Sequence, residues 1–127
     1  MDRMKRPALS VLLAAAWIAG SEFLRNQLLF KSYWVGQYAK LGLVFPERPL
    51  NGAAWGLWSL LFAAAVFLIA GKFTLVQTTL IAWLAGFVLM WVVVGNLGVL
   101  PFGLLVWAVP LSLFECFVAA LIMKKVR

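Results

Sequence analysis

Two glutamates, one arginine and a handful of amides are the side chains able to do chemistry inside otherwise apolar stretches of this sequence. Glu115 stands in VPLSLFECFVAALI, nine residues before Lys124. At 1.5 Å per residue that is roughly 13–14 Å along a helix, near mid-depth of a hydrocarbon layer about 30 Å thick. A charged side chain there costs at least about 2.5–3.5 kcal/mol to insert, so its presence asks for a reason. Ala108, Ser112, Glu115 and Ala119 share one face of a helix otherwise rich in Leu, Val and Phe. Small residues let another helix approach, so Glu115 and Ser112 are expected to face protein. The helical count leaves no Lys or Arg beside Glu115. Only the indole N–H of Trp83 is placed as a donor. The neutral acid is therefore expected, which suits a proton carrier and equally an inert hydrogen-bonded carboxyl.

Glu22 and Arg25 form the second feature. Their i, i+3 spacing permits an ion pair within one helix, and Asn26 and Gln27 follow. Counting from Arg6 places Glu22 roughly 24 Å along the helix, toward the far side of the membrane. Asn51 and Asn96 fall at the same level on other stretches. Glu22, Arg25, Asn26, Asn51 and Asn96 are thus the candidate outer polar cluster. It is either a polar helix end reaching interface water or a site for a polar headgroup or small cation. On the same count Glu22 and Glu115 differ in depth by about 10 Å, too far to pair directly.

What the sequence lacks narrows the chemistry. It has no histidine and one cysteine, Cys116. No metal-ligand cluster, phosphate loop or nucleophile–base pair is present, so no metal, cofactor or catalytic residue is expected. The net charge of +7 comes from bases at the ends of apolar stretches. Membrane lipids are the expected partners of those bases, and nucleic acid is not.

The elements that must position these residues follow from composition. The chain of 127 residues is 65% apolar and only 12% charged, against about 25% charged in soluble domains. No formal charge occurs from Phe73 to Phe114 or from Pro49 to Gly71. Soluble helices need a polar face, and disorder needs low hydrophobicity. Barrel strands would alternate in short segments. The expected fold class is an all-α integral membrane protein, an antiparallel four-helix transmembrane bundle. It forms a single domain over residues 1–127, with spans at about 7–30, 50–71, 74–97 and 101–123. The segment after the first span has Phe30, Trp34, Tyr38 and Leu41 at helical spacing, which predicts a short interfacial helix. Pro46 and Pro49 should end it.

Orientation follows from Lys and Arg. Arg3, Lys5, Arg6, Lys72, Lys124, Lys125 and Arg127 fall on one side. Arg25, Lys31, Lys40 and Arg48 fall on the other. Both termini are expected in the cytoplasm of an inner-membrane, multi-pass protein. Trp34, Trp55, Trp58, Trp91 and Trp107 then map to the outer half, as an interfacial belt or as an aromatic-lined pocket for an amphiphile. Gly52 and Gly56 form GxxxG and predict close helix packing within the chain or between copies. Pro110 predicts a kink.

These features fit a small non-catalytic membrane protein, transport-like or accessory to a membrane complex. A second copy or another membrane protein is a candidate partner. The alternatives are a lipid-phase enzyme using an intramembrane glutamate, and a purely structural subunit.

Overall fold

The computed structural model describes residues 5–127, without the side chain of Lys5; Arg3, counted above toward orientation, lies outside the described residues. Helix α1 (Lys5–Phe23) continues into a widened π-helical turn, Leu24–Leu29. A short helix α2 (Lys31–Lys40) follows, where the aromatic spacing predicts one. It ends through Gly42, whose φ of 74° is the left-handed conformation that glycine adopts freely. Helix α3 (Pro49–Ala70) starts with proline at its first position, where the missing N–H is not needed.

Helix α4 (Leu75–Trp83), a π turn at Leu84–Val88 and α5 (Leu89–Asn96) make one continuous stretch. Its start is a capping box. Gln77 N donates to Thr74 Oγ1 at 3.2 Å, and Thr74 N to Gln77 Oε1 at 3.1 Å. A 3₁₀ turn (Phe102–Leu104) leads into α6 (Leu105–Val126), which runs through Pro110. There is no strand among the described residues.

Among the described residues, four stretches are long and apolar enough to cross a membrane: Arg6–Leu29, Pro49–Ala70, Leu75–Asn96 and Phe102–Val126. They lie close to the expected spans, except that the last runs to Val126. Its end is held by side chains. Lys124 Nζ donates to the carbonyls of Ala70 (2.7 Å) and Phe73 (2.6 Å), and Arg127 Nη1 to that of Phe67. The Phe67 and Ala70 carbonyls are orphans at the end of α3, which need donors from outside the helix, and Phe73 lies in the turn that follows.

Packing joins α1 to α3 and α6, and α4 to α6. The core is built mostly of small and aromatic residues, among them Ala14, Ala63, Ala82, Ala119, Phe62 and Phe87. Large aliphatics such as Leu12, Leu61, Leu68, Leu80 and Val106 point outward, while Ser10, Ser59, Thr78, Ser112, Glu22, Arg25 and Glu115 are buried. That is the reverse of a soluble protein.

Within the chain, the GxxxG expectation is corrected. Among the described residues, a methyl group built on Gly52 or Gly56 would meet nothing within 4 Å, so neither glycine serves a helix contact there. Helix α3 packs through Ser59, Ala63, Val66 and Ala70 instead. Gly86, in the π turn, makes room for Phe62, since a Cβ there would run into Cε1 of that ring.

Candidate functional site

The π turn after α1 presents Arg25 inward, and burial leaves it 6% exposed. Its Nη2 donates to Glu22 Oε1 at 2.5 Å, which realises the expected pair. The same nitrogen lies 3.9 Å from Glu115 Oε1 on α6. Two expectations are thereby corrected. A cation does stand beside Glu115, and the polar group on α1 does reach it. Counting Cα positions along straight helices omitted two things. Side chains lean toward the N-terminus of their own helix, and arginine adds several ångströms of reach. Glu115 faces Ser21, Glu22 and Arg25 of the first span. Trp83 does not serve it. Its Nε1 donates to Ser112 Oγ at 2.9 Å, and the Ser112 hydroxyl donates in turn to the Val109 carbonyl at 3.1 Å. The Glu115 carbonyl, not its carboxyl, accepts from Trp17 Nε1 at 3.0 Å.

Among the described residues, both oxygens of Glu115 and Nη1 of Arg25 are buried without a hydrogen-bond partner. Two carboxyls therefore share one guanidinium. Buried polar groups normally find partners, and a buried charge left over is costly.

A polar chain extends from this triad toward α2. Asn26 Nδ2 donates to Glu22 Oε2 at 2.8 Å, and Trp34 Nε1 donates to Asn26 Oδ1 at 3.1 Å. From the third stretch Phe87 lies against the arginine, its ring centroid 5.3 Å from Cζ. A guanidinium over a ring face is attracted by the ring's quadrupole.

Above the triad is a cavity of about 410 Å³. Glu22, Arg25 and Asn26 belong to its wall, with Trp34, Tyr38, Phe45, Trp55, Trp58, Phe87 and Trp91. The aromatic side chains support one another. Trp58 packs edge-on to Trp55 and to Phe87, and Phe45 lies against Trp34 and Tyr38. Helix α2 and the loop after it contribute Trp34, Tyr38 and Phe45. Gln37 Nε2 ties this helix to the Gly98 carbonyl at 2.8 Å. A second cavity, about 710 Å³, adjoins the first through Glu22, Asn26 and Asn51 and runs between α1 and α3 over Gly20, Gly52 and Gly56.

Of the expected polar cluster, Glu22, Arg25, Asn26 and Asn51 line these cavities, whereas Asn96 is exposed at the end of α5 and lines neither. Asn51 is partly committed, its Oδ1 accepting from Arg48 N at 3.0 Å. Four of the five tryptophans assigned to a belt or pocket line the smaller cavity; Trp107 instead stacks on Phe30. Phe87 was not legible as a site residue, because one phenylalanine in an apolar stretch carries no signal of its own.

Comparison of the chain with family models, with curated proteins and with solved structures finds no match in any of the three.

Proposed function

We propose that this chain is a multi-pass inner-membrane protein of transport-like function. It takes an amphiphile into the aromatic cavity and couples its movement to a proton held by Glu22 and Glu115. The four apolar stretches cross the membrane in up-down-up-down order, short turns forcing antiparallel neighbours, with α2 at the outer interface. Outward-facing leucines and buried polar side chains support that placement.

The observation that carries the reading is the buried ratio of two carboxyls to one guanidinium, with Glu22 and Arg25 in the wall of a cavity and Glu115 buried behind them. With both carboxyls ionised the triad holds a net charge of −1 in a low-dielectric site. One proton removes that charge. It also allows a hydrogen bond between the facing carboxyls, since two carboxylates have no donor between them. The proton then belongs to the pair rather than to either residue. A purely structural triad would need no cavity beside it.

The test uses vesicles made from lipid extracted from the producing cells, so that a lipid-phase ligand is present, with a pH-sensitive dye trapped inside. Under an imposed potential, the protein should carry protons faster than empty vesicles do, and Glu115→Gln should abolish the excess. Flux equal to that of empty vesicles, from protein shown to be folded, would contradict transport.

A further inference from the structure

Arg25 Nη1 is a donor without a hydrogen-bond partner among the described residues, on a side chain that is only 7% exposed and belongs to a residue lining the aromatic cavity. Phe87 attracts the cation's charge but accepts no conventional hydrogen bond from that nitrogen. A buried N–H without an acceptor is costly, and a ligand oxygen would relieve it. The charge of the site then selects among oxygen-bearing ligands. On the reading proposed above, a proton on the two carboxyls leaves the triad neutral overall. An anionic head meets no surplus positive charge and would have to be desolvated beside Glu22. A cationic head leaves the free donor unused and faces Arg25 directly. An uncharged acceptor oxygen satisfies Nη1 without upsetting the balance.

The walls set the rest of the molecule. Trp55, Trp58 and Trp91 offer flat apolar faces, and a cavity of about 410 Å³ admits a ring or a short chain but not a whole two-tailed lipid. We infer that the cavity binds a neutral amphiphile by a carbonyl-type oxygen on Arg25 Nη1, its apolar body lying among the tryptophans. This assignment rests on the proton-balanced triad. The acceptor can belong to a glyceride ester or to a quinone, which present the same oxygen to the donor.

Native mass spectrometry of the purified full chain in a nonionic detergent tests it, with four probes of comparable apolar size. Two are neutral, monodecanoylglycerol and a decyl-substituted benzoquinone. One is anionic, the single-chain decanoyl lysophosphatidate, and one cationic, decyltrimethylammonium. At least one neutral probe should bind about tenfold or more tightly than both charged ones, and the tighter neutral probe identifies the source of the oxygen. Arg25→Lys keeps a positive charge but loses the planar fork, and should weaken the neutral probe about tenfold, equivalent to about 1.4 kcal/mol. If that variant does not fold, the ranking in the unmodified protein still decides. Tightest binding of the cation or of the lysophosphatidate, or saturable binding of none, overturns the assignment. Neutral-probe selectivity without proton flux would leave this inference standing and defeat transport. Proton flux with preference for the cation would do the reverse.

Discussion

Arg25 and Phe87 face each other from two different apolar stretches, and each stands in a π-helical turn, Leu24–Leu29 and Leu84–Val88. A π turn inserts extra backbone into an α-helix and re-aims the side chains around it. Such turns concentrate at functional sites. Here one of them turns a guanidinium inward and the other brings a ring against it. Glu22 and Glu115 are close to the same guanidinium, and the two irregular turns together bring Arg25 and Phe87 into one wall of the cavity, with Glu22 beside them.

Among the described residues Arg25 is the one cation close to the two carboxyls, and its loss should cost more than the loss of either partner. Arg25→Met is expected to destabilise by about 3–5 kcal/mol, the range for breaking a buried pair. Glu22→Gln in that background should restore part of the loss. Denaturant titration of the single and double variants in detergent measures the coupling. Strict additivity would mean that Glu22 and Arg25 do not act as a unit.

Glycines in neighbouring stretches should respond in opposite directions. Gly86→Ala drives a methyl group into the ring of Phe62, which already packs against Trp58 and Phe87. Overpacking of this kind costs about 1–3 kcal/mol. Gly56→Ala meets open space and gains helix propensity of up to about 1 kcal/mol, so it should be neutral or stabilising. Thermal unfolding of the two variants side by side gives the comparison. Equal losses would contradict the packing described for Gly86.

Trp83 and Ser112 should prove coupled. Trp83→Phe removes the donor to Ser112 Oγ, a loss of about 1 kcal/mol for one hydrogen bond. Once it is gone, Ser112→Ala should cost less than it does alone. A double-mutant cycle on unfolding free energies checks this, and an undiminished Ser112→Ala cost in the Trp83→Phe background would remove the bond from the account.

Much of this architecture was readable because apolar length is a coarse property. The absence of charge from Phe73 to Phe114 and from Pro49 to Gly71 makes the apolar stretches plain without any knowledge of their partners. The Glu22–Arg25 pair was readable because i, i+3 spacing is local. The approach of Arg25 to Glu115 was not. It depends on the lean of two side chains and on a π turn, and the sequence LRNQLL does not announce that turn. The same limit applies to Gly52 and Gly56. Their spacing is that of a helix contact, but whether a neighbour fills the space is decided by the whole fold, and here a cavity lies over them. Asn96 shares a helical level with the cluster, yet level alone leaves its direction around the helix unset.

On the proposed reading, positive-residue bias predicts both termini in the cytoplasm. A reporter active only in the periplasm should stay silent when fused after Arg127, and should report when inserted in the loop between α2 and α3. A signal from the C-terminal fusion would overturn the orientation or the four crossings.

Infrared spectra of the protein with isotope-labelled glutamate, in lipid at neutral pH, read the proton of the triad directly. The account predicts one protonated carboxyl shared by Glu22 and Glu115. Its band should disappear in Glu115→Gln and equally in Glu22→Gln, because either change leaves one carboxylate matched to Arg25. Two fully ionised carboxylates in the unmodified protein, with no such band to lose, would contradict it.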